Sequence, residues 1–140
     1  MRKLFLIGLL FIANFCANAQ SLTIKNNTSC VVYYAFRGYY TGTPTGCNQA
    51  VPSPYSYQVN PSSTTTYASV SSATWLSGTP IGWMDFAASD SPTSFPTTNF
   101  IGICSILDYG SSHTYMNTCG VSVTYTWSTD PSGNVTVTLN

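Results

Sequence analysis

The stretch "VSVTYTWSTDPSGNVTVTL", residues 121–139, decides the fold class. Val121, Val123, Tyr125 and Trp127 alternate with Ser122, Thr124, Thr126 and Ser128, the period-two pattern of an antiparallel strand with one buried face. Asp130-Pro131-Ser132-Gly133-Asn134 supplies the residues of a tight turn. Val135, Val137 and Leu139 then resume the apolar face, so the segment predicts a terminal β-hairpin.

Working outward, Ser21 to Lys25 repeats the alternation with Leu22 and Ile24, and Asn26-Asn27 turns the chain into "CVVYYAFRGYY", residues 30–40. As a strand, this segment points Val32, Tyr34 and Phe36 to one side, the expected core, and leaves Tyr33 half exposed. Gly38 is expected to end the strand, so that Tyr39-Tyr40-Thr41-Gly42 opens a loop. Tyr55 to Val59, the turn Pro61-Ser62-Ser63 and Thr64 to Val70 read as a second hairpin. Ile81 to Ala88, with Trp83, Met84 and Phe86, is a further apolar segment, and Tyr67, Trp75 and Trp83 are expected to pack near one another. The sum is an all-β chain: a single antiparallel β-sandwich of about seven or eight short strands, Ig-like or jelly-roll-like, with a barrel as the second architecture.

The N-terminus belongs to export. Met1-Arg2-Lys3 is basic, Leu4 to Phe15 is an almost unbroken apolar run, and Ala17-Asn18-Ala19 is an A-x-A cleavage signal. The run of about 12 residues is short of the roughly 20 that a transmembrane helix needs. Residues 1–19 therefore read as a removed signal peptide and residues 20–140 as one domain, secreted or associated with the cell surface. Cys16 follows Phe15 where a lipid-attachment site wants a small residue.

Beyond residue 19 the cations are Lys25 and Arg37, against Asp85, Asp90, Asp108 and Asp130. Two cations cannot follow a phosphate backbone or hold an anionic membrane, so nucleic-acid binding and polybasic attachment are excluded. Hydroxyls take the place of charge, with 19 Ser and 20 Thr in the chain. The ten tyrosines and three tryptophans argue against disorder, which is poor in aromatics.

Cys30, Cys47, Cys104 and Cys119 lack C-x-x-C spacing, and His113 is the only imidazole. No metal site or cofactor is expected. In an exported chain an even cysteine count reads as two disulfides, with three connectivities open. The local pairs Cys30 with Cys47 and Cys104 with Cys119 are favoured, each closing a loop worth about 3 kcal/mol in the chain-entropy model.

"LTIKNNTSCVVYYA", residues 22–35, resembles the opening of thaumatin-like proteins, in which a short strand reaches an Asn and Cys turn and a second apolar strand follows. The resemblance implies a sandwich. The chain departs from that family in having far fewer cysteines and no glutamate for its acidic cleft, so no site residue is carried over.

Catalysis finds few parts. There is no glutamate, Asp85, Asp90 and Asp108 are the only acids for a paired-carboxylate glycosidase, and Asp108-Tyr109-Gly110-Ser111-Ser112-His113 gathers triad residue types without the geometry a triad needs. Arg37, Tyr39 and Tyr40 carry the leading reading. Tyrosine rings stack on the apolar face of a sugar while phenol and guanidinium groups hydrogen-bond its hydroxyls, and the same residues are enriched at protein interfaces. Asn48, Gln49 and Tyr55 would complete the surface. The expectation is a non-enzymatic binding or adhesion module for an extracellular glycan or surface protein. The alternatives are a self-associating structural subunit of a surface layer, appendage or matrix, and a small secreted hydrolase. A rival surface, the T-x-T pattern of Thr124, Thr126, Thr136 and Thr138 with Thr64-Thr65-Thr66, has the look of an ice-binding face but is sufficiently explained by strand propensity.

Overall fold

The computed structural model describes residues 20–40, 51–53, 57–93, 99–103 and 111–140. Among these residues ten strands run in chain order: β1 Leu22–Asn26, β2 Val32–Tyr39, β3 Val51–Pro52, β4 Tyr57–Val59, β5 Ser63–Tyr67, β6 Gly82–Ser89, β7 Ile101–Gly102, β8 Ser112–Met116, β9 Ser122–Thr129 and β10 Val135–Leu139. One sheet has the order β5-β1-β10-β9-β8, the other β3-β2-β6-β7 with β4 also on β2. Apart from one 3-10 turn at Val70–Ser72 the described residues are all-β, and their two sheets stay separate, a sandwich and not a closed barrel.

The terminal hairpin forms as its alternation dictates, Val137 opposite Trp127 and Leu139 opposite Tyr125. The turn closes on the Asp130 carboxylate, which accepts the Ser132 and Asn134 amides at 2.8 and 2.9 Å. These bonds, with the Asn134 side chain, hold the Asp130 carboxyl below the usual range. β1 lies between β10, to which it runs parallel, and β5, to which it runs antiparallel. The sandwich is therefore not wholly antiparallel.

Both sheets send apolar side chains inward. Val32, Tyr34 and Phe36 of β2 meet Leu22, Ile24, Val137 and Tyr125 of the opposite sheet in one core. Phe36 is its centre, with the rings of Tyr57, Tyr67, Trp75 and Trp83 all 5.2–5.3 Å away. Trp83 lies 5.9 Å from Tyr67 and 5.7 Å from Trp75, the cluster expected from sequence. The phenols of Tyr34 and Tyr67 hydrogen-bond across the sheets at 3.0 Å, and burial raises the pKa of both.

Three further expectations change. Gly38 does not end β2; the strand continues to Tyr39, and the pairing with β6 shifts between Arg37 and Gly38, skipping Met84. A Cβ at Gly38 would fall 2.5 Å from Pro80, so the bare backbone lets Pro80 and Trp75 close over the strand. The hairpin expected around Pro61 is instead a crossover, because β4 joins β2 while β5 joins β1. Asn26, buried at the end of β1, fixes that corner: its amide donates to the carbonyls of Cys30, Val59 and Asn60, and its oxygen accepts the Thr28 amide and hydroxyl.

The third correction is the disulfide. Cys30 bonds Cys119, not Cys47, which also removes the pairing of Cys104 with Cys119. The register explains it: Asn26 pairs Leu139 and Leu139 pairs Tyr125, so the β1–β2 and β8–β9 turns emerge at the same end. Their Cα atoms stand 6.5 Å apart across 89 residues of sequence. Cys47 and Cys104 lie outside the described residues.

Candidate functional site

Arg37, Tyr39 and Tyr40 sit at the far end of β2, but they do not converge. The Arg37 guanidinium is taken by Asp85, its directly opposed partner on β6: Nε donates to Oδ1 at 2.8 Å and the terminal nitrogen to Oδ2. Its carbon lies 3.9 Å from the centre of the Phe100 ring, a cation–π contact. Asp85 is fully buried, and burial pushes its carboxyl up to about 6 while Arg37 pulls the other way. Ala35 and Ala87, opposed on the same side of the sheet, are also fully buried. Arg37 is thus engaged within the protein.

Tyr39 is half-buried and lies over Gly82, where a Cβ would collide with its ring. Tyr40 turns the other way, onto Gly78, and donates its hydroxyl to the Ser77 carbonyl at 2.5 Å. It remains 37% exposed, and two apolar side chains of the segment that wraps this end are more so: Leu76 at 59% and Ile81 at 58%. The segment is anchored by the Leu76 amide on the Pro52 carbonyl and the Ile81 amide on the Tyr39 carbonyl. Sequence reasoning did not single out Leu76, whose signal was a large apolar residue inside the turn-rich run "LSGTP", and it placed Ile81 at the head of the apolar segment Ile81 to Ala88, whereas the strand begins at Gly82 and leaves Ile81 exposed. Asn48, Gln49 and Tyr55 lie outside the described residues.

The other open surface is the outer face of the sheet β5-β1-β10-β9-β8. Its register sets Thr66, Thr23, Thr136 and Ser128 in one row across four strands. A second row runs Thr64, Lys25, Thr138, Thr126 and Ser112. All are exposed or half-buried, and Lys25 is the only charge among them.

Among the described residues the serine and histidine of the triad stretch do not meet. His113 packs its ring 5.6 Å from that of Tyr125, on the core side of β8, and burial lowers its pKa. Ser112 is on the opposite face, and Asp108 lies outside the described residues. Among the described residues no group of His, Cys, Asp and Glu gathers for a metal, and no helix is long and apolar enough to cross a membrane. No protein family matches the chain, and neither the curated proteins nor the solved structures compared with it yield a match.

Proposed function

We propose that the protein is a secreted, non-enzymatic binding or adhesion module for a neutral, hydroxyl-rich ligand, an extracellular glycan first, engaged through Tyr40 with Tyr39 beside it. The observation that carries the reading is the exposed ring of Tyr40, held by its hydroxyl on the Ser77 carbonyl within the segment that also exposes Leu76 and Ile81. A phenol pinned by its own hydrogen bond loses little side-chain entropy on binding. Arg37 supports this end through Asp85 and is not needed as a ligand contact. Export accounts for the Cys30–Cys119 bond. If the second bridge read from the sequence forms, it joins Cys47 to Cys104.

The test is a pull-down of the exported protein on insoluble polysaccharides and a soluble glycan panel, with Tyr39→Ala/Tyr40→Ala alongside. Capture by one glycan class, lost in the folded variant, supports the reading; equal capture of both proteins overturns the site. The structural-subunit reading is favoured by one observation: among the described residues β5 and β8 each pair on one side only, as sheet edges do. Concentration-dependent assembly in light scattering, without glycan capture, would select it.

A further inference from the structure

Cleavage after Ala17-Asn18-Ala19, the step of the export reading on which this inference rests, leaves Gln20 at the head of the chain. No part of the binding reading uses Gln20, yet the fold holds it at the turn between β9 and β10. Its carbonyl accepts the indole N–H of the buried Trp83 at 2.7 Å. The next residue is tied to the turn itself. The Ser21 amide and hydroxyl both donate to Asn134 Oδ1 at 3.1 Å, and the Ser21 carbonyl accepts the Val135 amide at 2.8 Å. The Gln20 side chain lies on Gly133, where a Cβ would stand 3.0 Å from Nε2 and 3.4 Å from Cγ and Cδ. With φ at +81°, Gly133 is in the left-handed region that favours glycine, so the turn that closes the hairpin also keeps this seat bare.

We propose that Gln20 is a modification site: once freed as the N-terminus it closes into pyroglutamate, and the lactam is seated between Trp83 and Gly133. The α-amino nitrogen attacks the side-chain amide carbon of the same residue. The N–Cδ bond forms, the Cδ–Nε2 bond breaks, and Nε2 leaves as ammonia with a proton from the amine. Nothing is oxidised or reduced, and no second reactant is consumed. An α-amine titrates near about 8, so a usable fraction is neutral and nucleophilic around neutral pH. Amine and amide belong to one residue, which makes the attack intramolecular. The product suits its seat. A free terminus would set an ammonium on a half-buried residue bonded to the buried Trp83, where desolvation disfavours the charge. The lactam is neutral and keeps the Gln20 carbonyl for the indole. It also removes the primary amine that aminopeptidases require, which closes an exported chain to trimming from this end.

The experiment labels primary amines on the freshly exported protein at neutral pH, before digestion, and then reads the mass of the reduced chain and of its N-terminal peptide. Gln20→Ala, which keeps an amine at the same position, runs beside it. The expected result is a chain that begins at residue 20, is lighter than its encoded residues by one ammonia and takes no label at its terminus, while Gln20→Ala is labelled there. Pyroglutamyl peptidase should release the ring from the reduced, unfolded chain roughly tenfold faster than from the folded protein, whose terminus must first open locally. A chain that begins at Gln20 with its full mass and a labelled α-amine would overturn the proposal and leave export standing. A chain that begins at any other residue would overturn it through the cleavage reading instead. Equal release of the ring from folded and unfolded protein would overturn the seat between Trp83 and Gly133.

Discussion

Arg37 and Asp85 face each other across β2 and β6, two-pronged and directly opposed, at the point where the pairing of these strands shifts register. The carboxylate is fully buried and the guanidinium 17% exposed. Removing the cation strands a charge in the interior, which costs more than the pair itself contributes. Arg37→Ala is expected to destabilise the protein by about 3 kcal/mol, the low end for a broken buried pair given the partial exposure of Arg37. Arg37→Lys should recover part of this, because an ammonium cannot bind both oxygens at once. Urea unfolding measures both; a loss under about 1 kcal/mol in Arg37→Ala would place the pair in the weak class of surface ion pairs.

The same pair has a pH dependence of defined sign. Asp85 titrates near 6 when folded and near 3.9 in an unfolded chain. The folded protein then holds the proton more tightly, so this group's contribution to stability is largest below about pH 4 and is lost as pH rises through about 6. The stability of the wild-type protein relative to Asp85→Asn should fall from about pH 4 to about pH 7 and then level off. A relative stability that rises over this range would mean that attraction to Arg37 outweighs burial.

Asn26 satisfies three carbonyls and a backbone amide at the corner where the chain leaves β4 for β5. Asn26→Ala removes all of these bonds, among them the acceptor of the buried Thr28 amide, while the Cys30 and Asn60 carbonyls keep the Thr28 and Ser63 hydroxyls, and it should cost roughly 3 kcal/mol. Thermal melting checks it. Asn27 is exposed, with its amide on Asn140, and the corresponding change there should cost well under 1 kcal/mol.

The Cys30–Cys119 bond ties together two turns 89 residues apart in sequence. Proteolysis without reductant should release a peptide containing Cys30 joined to one containing Cys119. Cys119→Ser should lower stability by about 2–5 kcal/mol. Recovery of Cys30 joined to Cys47 would contradict the fold's placement of the two turns at one end.

What the sequence disclosed is what period two can carry. The alternation at 121–139 predicts β9, β10 and the side chains each buries, and "VVYYAF" predicts the inward set Val32, Tyr34 and Phe36. Pairings between distant segments leave no such trace. Pro61-Ser62-Ser63 reads alike as a hairpin turn or a crossover, and the deciding contacts come from Asn26, more than 30 residues earlier. The parallel pairing of β1 with β10 and the capture of Arg37 by Asp85, 48 residues on, are likewise long-range. Arg37 beside two tyrosines therefore reads in sequence as a free donor, and the skipped residue Met84 that aligns Asp85 with it is visible only in the folded register.

The measurement that bears most directly on the central claim is the dissociation constant of Tyr40→Ala for the glycan class that the wild-type protein retains. A Tyr at the centre of a binding surface is worth more than about 1 kcal/mol on truncation. The account predicts a roughly tenfold or larger weakening, corresponding to about 1.4 kcal/mol, with the fold intact and Thr138→Tyr binding as the wild-type protein does. Unchanged affinity in Tyr40→Ala would contradict it.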